Sequence, residues 1–324
     1  MSEKPLIKRE SRLPKEWGPL AILATLCIIL ALISPRFFTM PNLLNILMLM
    51  VIPLILAIGT HYVILTGSVD LSLEGVMAVS GVVTAMLVAN SMTHLNFGIW
   101  GILAGAIVGA VLGTLNGVLY VKLKIPSFIV TLGMSLVGIG LATLLYRGNP
   151  ITVRAMDMQQ LVIGQFLGMP SIFWWGISFF AIMILFERLL PFTHHVLAVG
   201  GNEKVAKQAG VPIMKIKILV FTLAGFCSGL AGSLNALRLA LGSSQTSAGF
   251  LFASLTAVVV GGTVLTGGRG SVLGVLVGVL IVQVITNGMI LLTINPFYQQ
   301  AVQGIVLVLA IAVTLSRRRT QFVK

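Results

Sequence analysis

Long apolar runs alternate with short polar junctions along the whole chain. Ten runs stand out, near residues 17–34, 43–65, 72–91, 98–121, 127–146, 172–190, 216–237, 250–266, 271–292 and 298–316. A helix crossing the hydrocarbon core of a bilayer needs about 20 apolar residues. The pattern therefore predicts an all-α polytopic membrane protein with about ten transmembrane helices. The first run ends in SPRF without a small-residue cleavage site, so it reads as a span and not as a leader. The expected organisation is a basic tail at 1–16, a membrane domain at 17–316 and a second basic tail at 317–324.

Composition agrees. Hydrophobic residues make up 57% of the chain and charged residues only 9%, with a mean hydropathy of +1.05. A soluble domain carries about 25% charged residues, so this chain could not cover a water-facing surface. The net charge of +13 would suit nucleic acid only on a soluble basic face. In a membrane protein it reports cytoplasmic loops rich in Lys and Arg, and no nucleic acid is expected. With both termini in the cytoplasm, only Arg36, Arg147, Arg154 and Arg238 of the 21 basic residues fall outside. Cys27 and Cys227 both lie within apolar runs, which argues against a disulfide framework or a metal site.

The fourth run carries Gly101, Gly105, Gly109, Gly113 and Gly117 at four-residue intervals. The spacing recurs at Gly225, Gly229 and Ser233, and at Gly270, Gly274 and Gly278. Small residues at i, i+4 let helix backbones approach closely, which is how helices associate in lipid. These positions are expected to pack helices, within one bundle, at a subunit interface or along a sliding contact.

Little in the chain can do chemistry. Gly262 and Gly267 have P-loop spacing, but Gly268-Arg269 follows where Lys and Ser/Thr are needed, so no nucleotide site and no catalytic residue are expected. His194-His195 are adjacent and read as surface loop residues, not as metal ligands. Within the runs the polar residues are Asn45, His61, Asn116, Asn235, Gln283 and Asn287. Interhelical hydrogen bonding is the commoner use of such groups; Asn116, Asn235, Gln283 and Asn287 are also candidates to line a pathway. No row of embedded charges suggests ion coupling.

The junction LTGSVDLSLEG (65–75) concentrates Gly67, Asp70, Ser72 and Glu74 between the second and third runs, on the expected cytoplasmic side. Asp70 is placed to cap the third helix, with Ser72 and Glu74 in its first turn, where amide groups and the helix dipole favour an anion. Alternatively, Asp70 pairs with a basic group during a transport cycle.

TGSVDLS also resembles the SGGIDLS signature of permease subunits of ABC importers for ribose, xylose, galactose and related sugars. Similar stretches follow in order: LKIPSFIVTLGM (123–134), AVGGNEKVAKQAGV (198–211), AVVVGGTVLTGGRGSVLG (257–274) and NPFYQQAVQGIVLVLAI (295–311). Together they span nearly the whole chain. The resemblance implies a pair of permeases, identical or not, in the bacterial inner membrane. It implies a cytoplasmic ATPase subunit that binds the ATP and Mg, a periplasmic solute-binding protein, and a small-molecule sugar as cargo. It assigns a coupling role to the segment near 198–212. In that segment Gly200-Gly201 supply a turn, Asn202 a helix cap, Glu203 a first-turn acid and Gly210 a terminator, with Ala206 at the docking surface. It also marks Gly261, Gly262, Gly267, Gly268 and Gly270 as a second glycine-rich signature.

Three departures accompany the resemblance. Leu251-Phe252-Ala253 stands where relatives typically have Glu-Leu-Asp, Thr193-His194 where Gly-Arg is common, and Glu74 where glycine is usual. Cargo of another kind (a nucleoside, polyol, signalling furanose or branched-chain amino acid) is the alternative, and an ion-coupled carrier a more distant one.

The charge asymmetry generates a topology prediction. Reporters fused after residues 95, 160 and 295 should lie outside, and those after 123, 205 and 320 inside. A cytoplasmic reporter at 160 would overturn the arrangement from the fifth run onward.

Overall fold

The computed structural model describes residues 17–319; the tail at 1–16 and the last five residues lie outside that range. The ten apolar runs all become helical, but not all become spans. Helix α1 covers Trp17–Ile33, and α2 (Met40–Leu49) runs almost directly into α3 (Val51–Leu65). Then come α4 (Leu73–Leu87), α5 (Ile99–Leu123), α6 (Ser127–Leu145), α7 (Met156–Ile163) and α8 (Ser171–Leu189). A surface pair follows, α9 (Pro191–Gly201) and α10 (Glu203–Gln208), before α11 (Ile213–Arg238). The chain ends with α12 (Phe250–Val260), α13 (Val272–Leu291) and α14 (Pro296–Arg319). Two antiparallel pairs of two-residue strands tie loops together: β1 (Ile151–Thr152) with β4 (Leu241–Gly242), and β2 (Gln165–Phe166) with β3 (Met169–Pro170).

Among the described residues, six helical segments are long and apolar enough to cross a membrane: 40–65, α5, α6, α8, α11 and α13. The expectation of ten full spans is corrected at two informative places. The third run, expected to extend from 72 to 91, forms only the 15-residue α4, and the eighth forms only the 11-residue α12. At 1.5 Å per residue these are about 22 and about 16 Å long, so each is too short to cross the hydrocarbon core. Helix α4 is entered by non-helical backbone at 66–72, α12 by a short 3-10 turn at Ser244–Ser247 and a turn at 248–249, and α12 is left by another non-helical stretch, at 261–271.

Helix α3 is apolar on every side and all of its residues are buried, so it sits at the centre. Helices α8, α11, α12 and α13 surround it. The glycine stripes explain how helices approach so closely. Gly109 lies against the backbone of Gly225 and Gly229, Gly113 against Phe221 and Gly225, and Gly117 against Ile218, all on α11. Gly105 faces Ser233 and Thr84, while Gly101 packs on Val88 beyond the end of α4. Gly278 and Gly274 press on Ala257 and Gly261, joining α13 to the end of α12. Gly270 differs from the expectation of a helix-packing role. It precedes α13, in the loop against His61 and Thr263.

A methyl group at Gly109 would lie 2.6 Å from Gly229 Cα and press on Gly225 O, whereas Gly133 on α6 has open space around it. Gly→Ala raises helix propensity by about 1 kcal/mol at either site, but overpacking against rigid backbone costs about 1–3 kcal/mol. We therefore expect Gly109→Ala to lower the melting temperature of the purified protein and Gly133→Ala to leave it unchanged or raise it. Equal shifts would mean that the α5–α11 contact can relax.

Candidate functional site

The segment 66–72 is turn and irregular backbone that lies within the bundle and not along its surface, contrary to the sequence expectation. Asp70 is 3% exposed and Ser72 1%. Non-helical backbone at membrane depth needs hydrogen-bond partners from protein, and this segment obtains them from α6. Val69 N donates to Ser127 Oγ at 3.0 Å, and Leu71 N donates to Thr131 Oγ1 at 2.9 Å. Ser127 and Thr131 lie one helical turn apart, so their hydroxyls serve alternate amides of the non-helical segment. Asp70 Oδ1 accepts from the Ser72 amide at 2.8 Å and from its hydroxyl at 2.6 Å. Asn116 Nδ2 donates to Ser72 Oγ at 2.7 Å, joining α5 to the same network. The helix cap of α4 is Ser72. Asp70 is therefore not the cap itself, as its position suggested, but the group that holds the capping residue.

Glu74 does lie in the first turn of α4, but it serves another helix. Its Oε1 accepts from Gly249 N at 2.9 Å and Leu251 N at 3.0 Å, so it neutralises the N-terminus of α12. Two broken helices thus meet inside the bilayer, each with a carboxylate at its N-terminal end. The sequence named both acids, but nothing in it paired Glu74 with residues 175 and 177 positions away.

At the other end of segment 66–72 three separate motifs converge. Gly268 N donates to Leu65 O at 2.9 Å. A side chain on Gly267 would meet Gly67 N and Leu65 O at 2.8 Å and Gly200 Cα at 3.0 Å, and one on Gly200 would meet Leu65 O and Gly268 N. Gly67, Gly267 and Gly268 all take positive φ (+74°, +86° and +74°), and here contact and conformation both require glycine. Gly201 is open toward solvent on its own Cβ side, and its backbone lies against Gly268. The second signature is pinned to α3 by His61, whose Nδ1 meets Thr263 Oγ1 at 2.8 Å. Gly262 (φ +93°) and Gly261 begin that loop.

The coupling segment forms two helices, not one. Helix α9 was not anticipated, and His194 and His195 lie within it and not in a loop. Its sequence signal was Pro191 at the start and an apolar face at Thr193, Val196 and Val199, which are buried. Asn202 caps α10, accepting from Lys204 N at 3.1 Å and Val205 N at 3.2 Å, and Gly210 (φ +80°) follows its end. Glu203 pairs with Lys217 of α11 at 2.8 Å. Lys217 lies over the Tyr120 ring at 5.2 Å, and Ser68 Oγ donates to Tyr120 Oη at 3.3 Å. A continuous polar and aromatic chain therefore runs from α10 to the TGSVDLS segment.

The remaining polar candidates are not brought together. Asn235 donates to Thr246 O and accepts from Arg238, Gln283 donates to Leu49 O, and Asn287 forms a reciprocal amide pair with Asn42. Each joins elements within the bundle.

Broken helices packed in an all-α, multi-pass bundle are the architecture of membrane transporters. Comparison with known proteins is specific. Residues 42–311 match the family described as branched-chain amino acid transport system / permease component, and the chain belongs to that family. The ribose import permease protein RbsC of Bacillus subtilis (strain 168) is 38% identical over 307 residues, 94% of this chain and 93% of that protein. The L-arabinose ABC transporter permease protein AraH of Azospirillum brasilense is 37% identical over 301 residues, 93% of this chain and 88% of that protein. RbsC of Escherichia coli (strain K12) is 34% identical over 303 residues, covering 92% and 93%. No solved structure matches the chain.

The Asp70–Ser72–Asn116 network makes a double-mutant prediction. Ser72→Ala and Asn116→Ala should each destabilise the folded protein by about 1–3 kcal/mol, because each strands a buried partner. The double variant should cost clearly less than the sum, since the shared bond is lost only once. Additive losses would show that the network is not cooperative.

Proposed function

We propose that this chain is the membrane-spanning permease subunit of an ATP-driven importer for a sugar, of pentose or hexose type. The observation that carries the reading is the similarity, over more than 90% of the chain, to permeases named for ribose and L-arabinose. The junction geometry supports it. An importer driven by a separate ATPase needs a surface element in firm contact with the broken helices. Helices α9 and α10 supply it, through Gly200 against Leu65 and Gly268 and through Glu203–Lys217.

The working assembly is two permease subunits, a cytoplasmic ATPase that holds ATP and Mg, and a solute-binding protein outside. The charge asymmetry supports placing both termini and α9–α10 on the cytoplasmic side of a bacterial inner membrane. This chain itself then contributes no cofactor site and no catalytic residue.

One element of the sequence reading changes. Ala206 is 3% exposed and packs into the permease's own core, so it is not a docking residue. The outward face of α10 is Lys204, Val205, Lys207 and Gln208, and Val205 is an apolar side chain 57% exposed. An apolar residue on a charged surface helix suits a protein contact.

The test is reconstitution in vesicles with the ATPase and the binding protein. ATP-dependent accumulation of ribose or arabinose is expected, and failure with both sugars overturns the solute class. Val205→Asp should insert normally, with stability changed by within about 0.5 kcal/mol. Burying its carboxylate unpaired against the ATPase would cost several kcal/mol, so copurification and uptake should both fall about tenfold or more. If the variant keeps both, α10 is not the docking surface.

A further inference from the structure

Glu74 sits at a depth where a lipid-facing carboxylate would be costly. Its neighbour Gly75 packs against Ser135 and Gly138, at the middle of α6, a helix that runs from 127 to 145. Ser72, two residues before it, bonds Asn116, seven residues from the end of α5, or about 10 Å at 1.5 Å per residue. Glu74 is nevertheless only half-buried, and beside it Gly249 and Phe252 (57%) are exposed. A charged group at such a depth faces a protein interior or a water-filled cavity, not hydrocarbon. The backbone amides of Gly249 and Leu251 both use Oε1, and Oε2 has no hydrogen-bond partner among the described residues. Exposed Gln245 and half-buried Thr246 continue the polar lining along the segment that leads to α12.

We propose that this flank, formed by Glu74 and residues 245–252, is a wall of the water-filled solute pathway, and that Oε2 of Glu74 accepts hydrogen bonds from hydroxyl groups of the passing solute. The second half rests on the sugar reading above; the first does not. Carboxylate oxygens suit hydroxyl donors and repel anions. Pinning Oε1 to α12 fixes the direction of Oε2, so the acceptor is oriented before the solute arrives. Glu74 is thus a specificity-determining residue as well as the counter-charge of α12.

The wall is tested without any substrate. In a Cys27→Ala, Cys227→Ala chain assembled with its partners, Glu74→Cys and Phe252→Cys should react with a water-soluble methanethiosulfonate. Ile182→Cys, on the exposed side of α8, should not. Should Glu74→Cys fold poorly, Phe252→Cys carries the same measurement, because its side chain takes no part in the Glu74 bonds. Reaction no faster than that of Ile182→Cys overturns the wall. The acceptor is tested by Glu74→Gln, which keeps Oε1 for both amides but presents a donor in place of Oε2. Assembly and ATP hydrolysis should persist while sugar taken up per ATP falls about tenfold, the scale of one lost hydrogen bond to a polar group out of bulk water. Unchanged uptake per ATP would reduce Glu74 to a structural cap. Because labelling needs no sugar, failure of the sugar reading and failure of the wall give different results.

Discussion

Everything distinctive about this bundle depends on one constraint: backbone amides inside a bilayer must find partners within the protein. A continuous helix meets that demand by itself. The segment 66–72 does not, and it exists at depth only because Ser127 and Thr131 present hydroxyls to Val69 and Leu71 while Asp70 holds Ser72. Remove those partners and the natural alternative is to extend α4 or to expel the segment to the membrane surface. The hydroxyls of α6 therefore decide where α4 begins, and with it where Glu74 points.

The same constraint recurs at α12. Its first amides follow a turn at 248–249 and have no preceding helical carbonyls to accept them, and Glu74 of α4 supplies the acceptor. The sequence departures acquire a common explanation. This chain lacks acids at Leu251 and Ala253, in the first turn of α12, and carries one at Glu74 instead. The carboxylate that the helix terminus calls for comes from the neighbouring helix. The identity of the donor helix matters, because a carboxylate on α4 locks α4 to α12 and one on α12 would not.

Close approach is the second condition for the design, and glycine meets it. Where Gly200, Gly67, Gly267 and Gly268 meet, backbone touches backbone with no side chain between. A displacement of α9 by an ATPase partner has nothing soft to absorb it before it reaches the end of α3 and the second glycine loop. The Glu203–Lys217–Tyr120–Ser68 chain provides a parallel link to the TGSVDLS segment. In the proposed importer these two links connect the cytoplasmic surface to the polar wall within the membrane.

Much of the architecture was legible in the residues themselves. Apolar runs of about 20 residues determine helices, since a continuous apolar stretch of that length satisfies its backbone in lipid by helix formation, and all ten runs are helical. The i, i+4 stripes of α5 and α11 announce close contact, because only small residues permit it, and the turn residues around Asn202 and Gly210 mark a short helix through purely local rules. What one-dimensional periodicity could not decide was depth and pairing. A run of 20 apolar residues reads alike whether it forms one crossing helix or, like 72–91, supplies only the 15-residue α4, because periodicity does not show where the helix stops. Ala206 reads as exposed between two lysines and is buried, because a helix of six residues shows its faces only once it rests on its neighbours. The Glu74 contact with Gly249 and Leu251, and the meeting of three glycine motifs at Leu65, join positions far apart in the chain. Only the tertiary structure decided these, because the hydrogen bonds and backbone contacts involved arise when separate helices are packed side by side.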